Sequence, residues 1–180
     1  MFWLVEDDKQ LELFKNYVRK EAFVEIIPQN NLEHPAESGI CAVYIRPLDA
    51  TKGFILTNAH SETLNVGIDA IKCVLDTLDM VYVRDKKSFL HYLIIQNLFD
   101  ITLTSPTYIP EPTKTHNYFY NKYPNKKNIN RIIPIVKHYE YCENIFNDLK
   151  EKIHEPINDF YNTKATVVFN AVERSGIRID

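Results

Sequence analysis

Glycine is scarce in this chain, with only 4 among 180 residues. The sequence contains neither a Gly-x-Gly-x-x-Gly pattern nor a Walker A loop, which excludes the glycine-rich loops that hold nucleotide phosphates. Cysteine is also rare, and Cys41, Cys73 and Cys142 are odd in number and far apart. This usage argues against a disulfide framework and predicts buried, unpaired thiols in a reducing compartment.

Long apolar runs are missing as well. None approaches the roughly 18 residues that a membrane-spanning helix requires. The opening MFWLVEDDKQ has no basic stretch and reaches acidic residues at once, so a signal peptide is not predicted. The hydrophobic fraction of 45% and the charged fraction of 25% are typical of a globular domain. We therefore expect a cytoplasmic protein with no membrane partner.

Positive charge is concentrated in one segment, although the net charge is −3. A dedicated nucleic-acid-binding protein is usually clearly basic, but no acid lies between Glu111 and Glu140. Lysine pairs with phosphates and aromatic rings stack on unpaired bases, so this segment is the best candidate for weak DNA binding. The alternative is a solvated loop. The candidate residues are Lys114, Tyr118, Tyr120, Lys122, Lys126, Lys127 and Arg131.

The apolar pattern predicts an α/β fold with a mixed central sheet flanked by helices and a helical C-terminal part. Two strands form a hairpin, and later strands join through helical crossovers that make them parallel. We expect strands at 22–28, 40–46, 53–57, 80–84 and 98–102. We expect helices at 6–20, from Ser61, at 87–96, at about 134–153 and at 156–175.

This order of elements, with several local stretches, resembles the 3′–5′ exonuclease domain of family A (Pol I-like) DNA polymerases. FVEIIPQNN looks like the first exonuclease strand, and GICAVYIRP with KGFILTNAHSE looks like its two partner strands. YVRDKKSFLHYL and KHYEYCENIF are similar to the second and third exonuclease motifs, and LFDITL to the strand between them. The final AVERSGIRID is similar to the helix that leads into the polymerase thumb.

The resemblance implies a ribonuclease H-like exonuclease fold over residues 1–155. Residues 156–180 would be the connecting helix and the start of a truncated thumb. On this interpretation the chain is the front part of a phage-like DNA polymerase that acts in DNA replication in the cytoplasm of the infected cell. Its partners would be DNA and the downstream polymerase domain.

The carboxylates of such exonucleases are only partly present here. The family places four acids around two divalent metals. Glu25 matches the first acid, but Ile27 stands where its partner should be. Phe89 occupies the position of another catalytic acid, and Glu143 replaces an aspartate after Tyr139. We therefore expect no catalytic residues and no cofactor.

Several alternatives remain open at this stage. An active exonuclease would use Glu25, Asp85, Asp100, Glu143 and Tyr139 with Mg²⁺ or Mn²⁺. A protein-interaction module of a replication complex would use the apolar N-terminal helix or the terminal segment. Glu25 can also be a solvent-facing residue of an alternating strand. His60, His91 and His154 belong to no motif and are expected to be structural or surface histidines.

Overall fold

The computed structural model describes residues 2–18, 20–31, 34–35, 37–101, 108–154 and 171. Within this part of the chain, the strands form one six-stranded sheet in the order β1-β4-β3-β2-β5-β6. The strands are β1 (Leu4–Val5), β2 (Glu21–Pro28), β3 (Ile40–Pro47), β4 (Phe54–Thr57), β5 (Met80–Val83) and β6 (Leu98–Asp100).

The sheet is mixed, as the sequence predicts. β3 pairs antiparallel with both β2 and β4, so β3 and β4 form the expected hairpin. β5 pairs parallel with β2 and with β6, as strands joined through helical crossovers do. β1 was not predicted. It is only two residues long and pairs parallel with β4 at the edge of the sheet.

Helices cover both faces of the sheet. The helices are α1 (Asp8–Lys15), α2 (Ile68–Asp76), α3 (Lys86–Tyr92), α4 (Lys114–Lys122) and α5 (Ile135–Leu149). Side chains of β2 alternate between the two faces: Val24 joins the core beneath α1, α2 and α3, while Phe23 and Ile27 pack in the core beneath α5. Because β2 is covered on both faces, five of its eight residues are buried and only Glu21 is exposed.

Several predicted boundaries are wrong. The first helix spans Asp8–Lys15 rather than 6–20. The second begins at Ile68, since the residues after Ser61 form a turned segment in which Asn65 Oδ1 accepts the His60 N–H at 3.0 Å. Gly67 ends this segment with φ at 91°, a conformation that favours glycine. The third helix ends at Tyr92, because Leu93 is extended.

The two ends of the basic segment also differ from expectation. Residues 114–122 are helical, which contradicts a loop there; Thr113 begins α4 by accepting the His116 N–H at 3.2 Å. Ile129–Arg131 forms a 3₁₀ turn before α5. A second 3₁₀ turn, Lys150–His154, follows α5. The predicted helix 156–175 and the segment 156–180 lie outside the described residues, apart from Ala171.

Candidate functional site

A cavity of about 480 Å³ opens at the carboxyl ends of β2 and β5. These strands are parallel neighbours, so the residues that follow them meet at one edge of the sheet. The volume lies within the range of small-ligand sites. The helices α3, α4 and α5 contribute four Phe and Tyr rings to its walls; the lining includes Phe89, Tyr92, Tyr120, Tyr141, Glu25, Arg84 and Asp85.

Glu25 forms an ion pair with Arg84 in this cavity. Its Oε1 accepts from Arg84 Nη2 at 2.8 Å and from Arg84 Nε at 3.2 Å. Glu25 is only 8% exposed, so the expectation that it faces solvent is wrong: β2 is an interior strand, and α5 covers the face on which Glu25 lies. The carboxylate of Glu25 raises the pKa of Arg84, which keeps the guanidinium charged. Arg84 also donates to the Tyr108 carbonyl at 3.4 Å.

Glu143 is held by three donors on the β3–β4 hairpin. Its Oε2 accepts from Arg46 Nη1 at 2.8 Å, and its Oε1 accepts from the Tyr44 hydroxyl at 3.0 Å and the Gly53 N–H at 2.6 Å. The Arg46 guanidinium lies over the Phe146 ring at 4.6 Å. Glu143 therefore attaches α5 to the hairpin, and burial together with this carboxylate raises the pKa of Tyr44.

Tyr139, one helical turn before Glu143, packs against the N-terminal segment. Its ring lies 4.9 Å from the Trp3 ring and 6.2 Å from the Tyr44 ring. Burial first, and then the nearby Glu143 carboxylate, raise the pKa of Tyr139 to about 12. Its hydroxyl is therefore a neutral hydrogen-bonding group near pH 7.

Asp85 and Asp100 both support the beginning of α3. Asp85 is the N-cap residue and accepts from the Ser88 N–H at 3.1 Å and the Ser88 hydroxyl at 2.8 Å. Asp100 is buried and accepts from the Lys86 N–H at 2.9 Å. Phe89 is 5% exposed. Among the residues with described positions, no group of three or more His, Cys, Asp or Glu side chains could hold a metal ion.

Buried histidines connect α4, α5 and the turn that precedes α5. His116 Nε2 lies 3.5 Å from His138 Nδ1, and His138 Nε2 lies 2.9 Å from the Asn130 carbonyl oxygen. This carbonyl can only accept, so His138 donates from Nε2 and accepts at Nδ1 from His116. Thr113 Oγ1 lies 2.5 Å from His116 Nδ1. We call this series of hydrogen bonds, from Thr113 through His116 and His138 to the Asn130 carbonyl, the histidine chain. Burial lowers the pKa of His116 to about 4 and that of His138 to about 3.

His60 is structural, as expected. It is buried, and its Nε2 lies 2.8 Å from the Ile133 carbonyl oxygen, while its Nδ1 accepts the Glu62 N–H at 3.1 Å.

The thiols follow the prediction only in part, since Cys41 and Cys142 are buried but Cys73 is exposed.

The predicted nucleic-acid-binding residues divide into two groups. Tyr120 and Arg131 make internal contacts: Asn31 Nδ2 donates to the Tyr120 hydroxyl at 2.9 Å, and Arg131 Nε donates to the Ala59 carbonyl at 2.8 Å. The other residues are exposed on α4 and the turn after it; these are Lys114, Tyr118, Lys122, Lys126 and Lys127. Phe119 and Tyr123 lie among them and were not in the predicted set.

Among the residues that the structure describes, no helix is both long and apolar enough to span a bilayer. Comparison with known proteins adds no assignment: no protein-family model matches the chain, and no curated protein sequence matches it significantly.

Proposed function

We propose that this chain is an exonuclease-like domain of a DNA polymerase that is not catalytic, that guides DNA and that supports the downstream polymerase domain. The observation that carries the proposal is the ion pair of Glu25 with Arg84, at 2.8 Å on an interior strand. The mixed sheet, with its antiparallel hairpin and its parallel neighbours, is compatible with a ribonuclease H-like fold.

The ion pair supports the loss of catalysis for a chemical reason. A two-metal site needs clustered carboxylate oxygens that are available to hard cations. Here Arg84 supplies a fixed positive charge to Glu25, and Arg46 supplies one to Glu143 at 2.8 Å. A metal ion would have to displace both guanidinium groups. The same pairs cancel negative charge that would repel DNA phosphates.

One observation favours the alternative of an active exonuclease. The cavity of about 480 Å³ is lined by both Glu25 and Asp85, so a substrate could reach two of the acids. In that case Glu25, Asp85, Asp100, Glu143 and Tyr139 would act with Mg²⁺ or Mn²⁺ after the arginines had moved away.

A digestion and binding experiment separates the two functions. A labelled single-stranded oligonucleotide is incubated with the chain in Mn²⁺ or Mg²⁺, and binding is measured separately in EDTA at several salt concentrations. We expect no digestion, and binding that weakens as salt increases. The control is the double variant Glu25→Gln/Glu143→Gln, which should behave like the unmodified chain in digestion. Digestion that this variant abolishes would establish the nuclease instead, and absence of binding at low salt would contradict the DNA-guiding role.

A further inference from the structure

We propose that one exposed surface binds single-stranded nucleic acid by stacking unpaired bases on tyrosine rings. This α4 surface consists of Tyr118, Phe119, Lys122, Tyr123 and Lys126. The inference rests on the proposed function and makes it more specific, because it names the place where DNA is held and the form of DNA that binds.

Two of the three aromatic rings on this surface are exposed to solvent. Tyr118 is 56% exposed and Tyr123 is 37% exposed. The Phe119 ring lies between them, 5.3 Å from Tyr118 and 6.3 Å from Tyr123, and is nearly parallel to the latter with an interplanar angle of 28°. Exposed aromatic side chains can stack on a base without prior rearrangement of the core, once a mobile lysine has moved from the ring.

Two lysine ammonium groups lie over these rings, and Lys122 Nζ also donates to the Tyr118 hydroxyl at 3.3 Å. Lys122 Nζ is 5.5 Å from the centre of the Tyr118 ring and 5.4 Å from that of Tyr123, and Lys126 Nζ is 5.7 Å from the latter. A base that stacks on either tyrosine ring would therefore lie close to a positive charge. No acid occurs between Glu111 and Glu140. The surface therefore complements a ligand that alternates anionic groups with flat rings.

The helix that carries the rings is fixed to the domain at several points. Thr113 caps its first turn, His116 joins the buried histidine chain, and the Tyr120 hydroxyl accepts from Asn31 at 2.9 Å. Tyr118 is thus presented from a helix whose opposite side is anchored. Because the helix is already ordered, less conformational entropy is lost on binding.

This arrangement should distinguish a single strand from a duplex. Bases in a duplex are already stacked on each other and their faces are inaccessible, whereas an unpaired base has a free face for Tyr118 or Tyr123. Phosphates alone would attract both forms through the lysines. The rings therefore provide the discrimination and the lysines provide the salt dependence.

The test measures fluorescence anisotropy of a labelled oligothymidine and of a duplex of equal length, in EDTA and at several salt concentrations. Replacing Tyr118 and Tyr123 by alanine should weaken single-strand binding about tenfold or more, while replacing both by phenylalanine should preserve it. Lys122→Gln with Lys126→Gln should reduce the slope of log affinity against log salt by about 1.4, because each phosphate contact contributes about 0.7. The matched charge control is Lys9→Gln with Lys72→Gln on α1 and α2, which should leave the slope unchanged.

Each of the other outcomes contradicts one part of the inference or of the proposed function. Single-strand binding that the alanine variant retains would overturn the α4 surface and leave the DNA-guiding function intact. Equal binding of duplex and single strand would overturn the stacking mechanism. Digestion in Mn²⁺, measured separately, would overturn only the non-catalytic function. The inference would also be wrong if the unmodified chain bound anionic phospholipid vesicles but no DNA, and the same variants lost the vesicle binding. The surface would then be a membrane-binding surface.

Discussion

At the scale of single residues, Gly53 shows how closely the β3–β4 hairpin packs. A Cβ atom at this position would lie 2.3 Å from Cε2 of Tyr44, whose ring is fully buried and cannot move aside. Gly53→Ala should therefore lower the free energy of unfolding by about 1–3 kcal/mol through overpacking, as measured by urea denaturation. The control is Gly39→Ala, where the Cβ would meet only the end of the flexible Gln29 side chain at 3.0 Å. Equal effects of the two substitutions would contradict this explanation.

The ion pair of Glu25 with Arg84 makes a second prediction at this scale. Arg84→Met leaves a carboxylate that is 8% exposed without its counter-charge, which should cost about 3 kcal/mol of stability. In the double variant with Glu25→Gln, the cost should be smaller than the sum of the single costs, since no charge remains unpaired. A double-mutant cycle in urea measures this coupling. Strict additivity would show that the two side chains do not depend on each other.

The sequence reveals the chemical type of these residues but not their pairing. Glu25 and Arg84 are far apart in the chain and meet only because β2 and β5 are parallel neighbours. Alternation along β2 correctly separates Glu25 from Val24, but it cannot tell whether the second face is covered. That face is covered by α5, whose contribution depends on contacts between distant elements. For this reason the burial of Glu25 could not be predicted, whereas the strand itself could.

At the scale of elements, strands and helices with a strong apolar pattern could be predicted from the sequence, and an element with a weak apolar pattern could not. The hairpin and the crossover strands were predicted because their apolar runs end at clear turn residues. α4 was missed because its sequence is polar, and only His116 among its residues is buried. Its stability comes instead from a capping threonine and from contacts of one side with the domain.

Thr113 therefore makes a prediction for the whole of α4. Thr113→Val keeps the shape of the side chain but removes the oxygen that accepts the His116 N–H and contacts His116 Nδ1. Loss of the cap should cost about 1 kcal/mol, and amide hydrogen exchange should become faster across Lys114–Lys122. Thr113→Ser retains the oxygen and should exchange like the unmodified chain. Exchange that is unchanged in the valine variant would show that the cap does not hold α4.

At the scale of the whole molecule, the architecture was more predictable than the site. The order of strands and helices is sufficient to predict a mixed α/β sheet, because connections between such elements are restricted. The placement of Asp85 and Asp100 beside the start of α3, and of Glu143 of α5 against the hairpin, depends instead on side-chain contacts that the order does not specify. The same is true of the histidine chain, whose members come from segments with no common motif.

That histidine chain connects the stability of the molecule to pH. Burial lowers the pKa of His116 to about 4 and that of His138 to about 3, whereas a histidine in the unfolded chain titrates near 6.5. Between these values the unfolded state binds more protons than the folded state. The stabilising contribution is therefore complete above about pH 6.5 and is lost as pH falls, by up to about 1.4 kcal/mol per pH unit for each histidine.

The variant His116→Gln isolates this effect. The glutamine amide oxygen can accept from Thr113 and its NH₂ group can donate to His138, but the side chain does not titrate. Urea denaturation between pH 7 and pH 5 should show that the stability of the variant falls less steeply than that of the unmodified chain, by up to about 1.4 kcal/mol per pH unit. Parallel curves would mean that His116 takes up its proton equally in both states. In that case the burial of His116 beside His138 would not control how the stability of the protein changes with pH.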